Sequence, residues 1–317
     1  MKSRLLFLIL LAPPASAYQR EDHAATVRLA LRGFKGEALV AACAQLPDEA
    51  PELSAIDVYR RLMRHPWDYA QWAARGAGAP ETAGRMAAVQ QLLHGLTGGS
   101  SAGVRAAARE AVAATRREVE NARAPQERAD DLCALGFAYH LYGDSFAHSR
   151  LRNPARMYGT GIGHLFDSTR PDLPLVSPAR LSLFSDYLQG AAGLWPGAPP
   201  EKVRSVLSAA EKHAAGARER NGFNEAPLRL LLSEAAGALA PFDPSKKPLG
   251  CQALIDAEAK AGGLSPAPSC ERTWAAFRAA AEPAFDRYDA AHPDAPSRAP
   301  SRTAYYAGSP FDKGPQW

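Results

Sequence analysis

Apolar residues recur along most of this chain at intervals of three and four, the spacing that lines up side chains on one face of a helix. In "DHAATVRLALRGF", Val27, Leu29, Ala30, Leu31 and Phe34 follow it, and "KGEALVAACAQL" repeats it. "SAIDVYRRLM" opens on Ser54, whose hydroxyl suits a helix N-cap. "AGRMAAVQQLLHGL" predicts a further helix, stopped by the glycines of "TGGSSAG". "AGVRAAAREAVAATRREVENAR" reads as a long, amphipathic, exposed helix, and "QERADDLCALGFAYHLYGDSFAHS" as a strongly apolar one with unusual polar residues. Beyond it, "PARLSLFSDYLQGAAGLW", "EKVRSVLSAAEKHAAGARER", "EAPLRLLLSEAAGALA" and "ERTWAAFRAAAEPAFDRYDAA" continue the helical pattern. There is no run of alternating β-branched residues long enough for a sheet and no solenoid period. From Pro293 to Trp317 the chain is rich in Pro, Ser, Gly and Arg, which predicts a disordered tail. The pattern therefore predicts an all-α fold, a single multi-helix domain over residues 18–292.

The start of the chain changes that picture by adding an address. Lys2 and Arg4 precede an apolar run from Leu5 to Leu11, and "APPASA" ends in Ala15, Ser16 and Ala17. That order reads as a secretory signal peptide over residues 1–17, cut before Tyr18. The run is far shorter than the roughly 20 residues of a membrane-spanning helix. The expected protein is secreted or periplasmic and not transmembrane. The net charge of +4 falls to +2 once Lys2 and Arg4 are removed, too little to argue for nucleic acid or anionic membrane by electrostatics alone. Four cysteines in an exported chain suggest disulfides. Cys251 and Cys270 flank a short helix and loop and would clamp it. Cys43 and Cys133 both fall in apolar helical patterns, where they could pair or stay buried thiols. No CxxC spacing supports cysteine-bound zinc.

The candidate chemistry gathers in "HLYGDSFAHSRLRNPARMYGTGIGHLFDSTRPD", residues 140 to 172, with three of the eight histidines. At about 100° per residue, His140, Asp144 and His148 fall within roughly 80° of one another on a helix whose other positions are largely apolar. Burying two imidazoles and a carboxylate unpaired costs several kcal/mol. Nitrogen and oxygen ligands on one face suit zinc, and an aspartate between two histidines can bridge two ions. The alternative for the same residues is a hydrogen-bonded polar core. His23 opens the first helix after the signal peptide and His94 ends another before a glycine-rich break; each reads equally as a ligand or a helix-end histidine. Asp48 ends a helix, where the helix dipole disfavours an acid unless a cation is near. His65, in "RHPWD", reads as a loop-packing residue at least as readily as a ligand, His213 as solvated, and His292 as part of the tail. The chain carries no HExxH or GxxxxGK motif, no GxSxG elbow on a strand and no strand-borne GxGxxG.

With the residues in view, the chain resembles the superfamily of zinc-dependent phospholipases C and single-strand-specific nucleases. The likeness is carried by "HLYGDSFAH", "GH" and "PD", nearest to an uncharacterised bacterial branch, and spans about residues 18 to 180. It implies an order of metal ligands: His23, Asp48, His94, His140, Asp144, His148, His164, then an acid. Ser168 stands where the phospholipases and nucleases place that acid, so Asp172 is preferred, with Asp167 as the alternative. The amino group of Tyr18 would be a further ligand in such proteins. The resemblance implies two or three zinc ions (Zn2+), Asp144 bridging two of them, and water activated by the metals attacking a phosphate ester. Asp48 would ligate or take the proton of that water, as the catalytic residue.

The expected function is thus an exported zinc-dependent phosphoesterase acting on a phosphodiester, phospholipid or nucleic acid. No stable protein partner is implied. The alternative of another class is a non-catalytic helical protein with a structural zinc site. A third reading has no metal and an acid-sensing histidine network. Phe146, Tyr158 and Phe166 could face a base or an acyl chain, although core packing is the plainer role. Arg150, Arg152 and Arg156 would suit a phosphate, or a solvated loop.

Overall fold

The structure, a computed structural model, describes residues 20–55, 57, 88–159, 170–195, 200–219, 250–261 and 265–291. The expected signal peptide and tail, Tyr18, His65, His164, Phe166, Asp167 and the helix expected in "EAPLRLLLSEAAGALA" lie outside the described residues. The α-helices are α1 (Arg20–Ala30), α2 (Glu37–Glu49), α3 (Ser101–Asn121), α4 (Pro125–Ala147), α5 (Pro178–Gly193), α6 (Pro200–Glu219), α7 (Cys251–Ala261) and α8 (Cys270–Ala291). Among the described residues there is no strand, and the fold is all-α. None of the described helices is long and apolar enough to cross a membrane.

Helix α4 is the axis of the molecule, with α1, α2, α3, α5 and α8 packed around it. Its sequence explains why: every residue from Ala129 to Ala147 is buried, with no polar face to give to solvent. Its start is fixed by Pro125 in the first turn and by the Glu127 carboxylate, which accepts the Arg123 and Ala124 amides at 3.0 and 3.3 Å. Those amides hold the Glu127 carboxyl below its ordinary pKa. Helix α3 covers α4 with the stripe Val104, Ala108, Ala111, Val112, Thr115 and Val119 and turns its other face to water. The exposure expected of this helix holds for that outer face only.

Helix α2 meets α4 closely at Gly136. A Cβ there would stand 2.5 Å from the Val40 carbonyl and 2.7 Å from Cys43 Cβ, so only glycine permits the approach. The Cys43–Cys133 disulfide ties the same two helices, and Cys251–Cys270 clamps α7 to α8. Both suspected bridges are formed. An isolated bridge, Ser100 with Arg156, fastens the loop before α3 to the segment after α4, and a second, Ser149 with Met157, closes that segment on itself. That fastening sets His94 above α4.

Candidate metal centre

Three segments converge on the Asp144 carboxylate. Asp144 lies on the last full turns of α4, with His140 one turn before it and His148 at the helix C-cap. His94 follows a π-helical turn, Val89–Leu93, an irregularity common at functional sites. His23 comes from α1. Oδ2 of Asp144 lies 2.8 Å from His94 Nδ1 and 3.1 Å from His140 Nε2, with His148 Nδ1 at 3.6 Å. Oδ1 faces the other way, 3.2 Å from His23 Nε2. That same His23 nitrogen is 4.0 Å from Asp48 Oδ2, whose side chain is only 5% exposed. The two oxygens of one carboxylate are therefore divided between two groups of histidines.

The backbone decides which ring nitrogens point inward. Neutral imidazole has one N–H and one lone pair, and the tautomer is assigned from its hydrogen-bond partners. His94 Nε2–H donates to the Leu53 carbonyl at 2.8 Å, and His140 Nδ1–H to the Ala44 carbonyl at 2.8 Å. His148 Nδ1–H donates to the His94 carbonyl at 2.6 Å. Such pairing of imidazole with a carbonyl orients metal-binding histidines. It leaves His94 Nδ1 and His140 Nε2 as lone pairs 3.3 Å apart, both against Asp144 Oδ2. Lone pairs at that separation repel unless a proton or a metal ion sits among them.

The electrostatics agree. Burial opposes ionisation of Asp144, but His140 and His148 outweigh it and hold its carboxyl well below the usual range. Burial disfavours the His94 cation too, yet its contact with Asp144 raises the His94 pKa. His140 goes the opposite way: burial, helped by His23, lowers its pKa against the pull of Asp144. Asp172 is buried close by, and desolvation together with Asp144 and Asp48 raises its carboxyl well above the ordinary value. Three carboxylates share this interior with four histidines, an arrangement that favours cations. Two buried groups can each hold a metal ion: His23, Asp48 and His140, and His94, His140 and Asp144, with ligand atoms within 4.8 Å of one another. They share His140.

All the expected ligands within the described residues thus come together, His23, Asp48, His94, His140, Asp144 and His148, with Asp172 near enough to feel two of the carboxylates. His213 is exposed on α6. Phe146 and Tyr158 are buried in packing roles. Arg150 and Arg156 donate to the Met157 and Gly98 carbonyls and staple the loop after α4; Arg152 is exposed.

Sequence reasoning missed three features. Arg180, buried at the start of α5, donates to the carbonyls of Phe146, Ala147 and Ser149 and so caps the end of α4 that carries the site. The carbonyls of Ala44 and Leu53 set the tautomers, and no side-chain pattern reports a carbonyl. Gly143 lets His23 in: a Cβ there would lie 2.7 Å from His23 Cε1 and 2.8 Å from Nδ1. A glycine inside "HLYGDSF" was the available signal for it. Compared with family models, curated proteins and solved structures, the chain matches none.

Proposed function

We propose that this chain is an exported zinc-dependent hydrolase of phosphate esters, with a phosphodiester of a phospholipid or nucleic acid as its substrate. The observation that carries the reading is the divided Asp144 carboxylate, Oδ1 toward His23 and Oδ2 toward His94 and His140, the placement a bridging ligand needs. His23, Asp48 and Asp144 would hold one ion, and His94, His140 and Asp144 a second, with His148, Asp172 and His164 as the remaining expected ligands. When bound, zinc supplies Lewis-acid neutralisation of a phosphate oxygen and a nucleophilic water at neutral pH. The chain orients that chemistry. The Leu53 and Ala44 carbonyls hold His94 and His140 in the ligating tautomer, and the Asp48 carboxylate, beside His23, is placed to ligate or to accept a proton. Two disulfides fit an oxidising compartment, which supports export.

The test is zinc counted per chain, by elemental analysis of the purified protein, alongside hydrolysis of bis-p-nitrophenyl phosphate. We expect two or three zinc ions, with Asp144→Asn losing more than one of them and activity falling at least a hundredfold. One tightly held ion without hydrolysis would replace this reading with a structural zinc site. No zinc at all, after expression with the metal supplied, would leave a polar core and end it.

A further inference from the structure

A groove of about 740 Å³ lies between α3 and the C-terminal end of α5, within the range of roughly 300–1,000 Å³ of small-molecule sites. Ala113 and Leu194 line it with apolar surface, and Arg109, Arg116 and Arg117 with charge. Arg109 and Arg117, eight residues apart, stand about 80° from each other around α3 and roughly 12 Å apart along its axis, a span two arginine side chains can close from either end. Arg116 is set in place: its guanidinium donates to the Leu194 carbonyl at 2.9 Å and to Glu120 at 2.8 Å, and it lies 5.1 Å from the Trp195 ring centre. Arg109 and Arg117 are exposed and have no carboxylate partner among the described residues. The acid in the lining, Glu110, is engaged by Arg287 at 2.5 Å. One wall of the groove therefore carries uncompensated positive charge above an apolar floor.

This groove is distinct from the metal centre. Arg109 acts on Tyr142, whose pKa burial raises and that cation opposes. Tyr142 stands about 200° around α4 from both His140 and Asp144, on the far side of the helix.

We propose that the groove binds a small organic phosphate, its phosphate oxygens held by Arg109 and Arg117 and its apolar body laid on Ala113 and Leu194. Arginine suits that role because its planar fork meets two oxygens of a phosphate at once. The apolar floor argues for an organic body rather than a bare ion.

The experiment is calorimetric titration of the full chain with phenylphosphonate, which has no ester bond to cleave. Wild type, Asp144→Asn and Asp144→Asn/Arg109→Gln/Arg117→Gln are compared, with zinc content and thermal unfolding recorded for each. Zinc would also take a phosphonate oxygen, so the groove is read in Asp144→Asn, whose metal centre is depleted. That variant should still bind phenylphosphonate, and adding Arg109→Gln/Arg117→Gln to it should weaken the binding at least tenfold with unfolding unchanged, so failure of the metal reading and failure of this one are separable. No binding by Asp144→Asn, or equal binding with and without the two arginines, would overturn the groove site. Tighter binding of inorganic phosphate than of phenylphosphonate would overturn the role of the floor. Tighter binding of a short oligonucleotide or an anionic vesicle, lost with the same arginines, would replace the small ligand with a macromolecule.

Discussion

His23 reaches Asp144 through a gap one atom wide. The ring of His23 stacks on that of His140, centres 4.2 Å apart, and packs over the α4 backbone at Gly143, where a methyl group would also stand 2.9 Å from Tyr187 Cζ. Alanine favours a helix interior over glycine by about 1 kcal/mol, so Gly143→Ala should help α4 locally while pushing His23 outward. The expected result is a loss of roughly one zinc ion per chain with the fold retained, measured by elemental analysis. His23→Ala should lose the same ion, and the double variant should lose no more than either. Full metal retention in Gly143→Ala would show that the ring can move aside, and that the glycine has another purpose. The histidine and aspartate positions were legible because buried polar residues at helical spacing stand out in an apolar run. The reason for the glycine was not, since the atoms that exclude a side chain there belong to α1 and α5.

An element that buries its whole circumference must still end in water, and α4 does so through an acidic first half. Asp131 lies near Glu127, Glu118 and Asp130, and burial, followed by those charges, pushes its carboxyl up to about 6. An unfolded aspartate titrates near 3.9, so between about pH 4 and pH 6 the native state holds a proton that the unfolded chain has released. Stability from this group therefore falls as pH rises through that window and stays lower above it. Because the carboxyl keeps partial contact with water, the effect is discounted to about 1 kcal/mol. Asp131→Asn should then stabilise the protein by about that amount at pH 7.5 and by little at pH 3.5, read from urea unfolding at both values. An equal effect at the two pH values would mean that packing, not charge, governs this position. Helix existence and type were legible from the three-and-four spacing, as α1, α2, α4, α5 and α8 show. The π turn before His94 was not: "AVQQLLHGL" fits an ordinary helix, and only the fastening of the following loop to residues 149–158 makes the extra residue worthwhile.

The site is a property of the whole molecule, because its ligands come from positions as far apart as His23 and Asp172 and meet only when α1, α2 and the loop of His94 close around α4. Sequence order suggested the members, but the sequence alone left the pairing of Cys43 with Cys133 open, since it depends on how closely α2 approaches α4 at Gly136. That disulfide joins the helix carrying Asp48 and the Ala44 carbonyl to the helix carrying His140 and Asp144, across a separation of 90 residues. Cys251–Cys270 closes only 19. On chain entropy alone the long loop is stabilised by about 4.5 kcal/mol and the short one by about 3 kcal/mol. If stability were the sole contribution, replacing either pair with alanine would lower the melting temperature and leave zinc affinity untouched. The geometry separates them. Removal of Cys43–Cys133 frees α2 to shift along α4, so it should both destabilise the fold and weaken zinc retention against a chelator by tenfold or more. Removal of Cys251–Cys270 should cost stability only, because α7 and α8 carry no ligand. Unchanged zinc retention in a folded chain lacking Cys43–Cys133 would mean that the fit at Gly136 and the core around it already fix Asp48 and the Ala44 carbonyl, leaving the covalent tie a purely thermodynamic role.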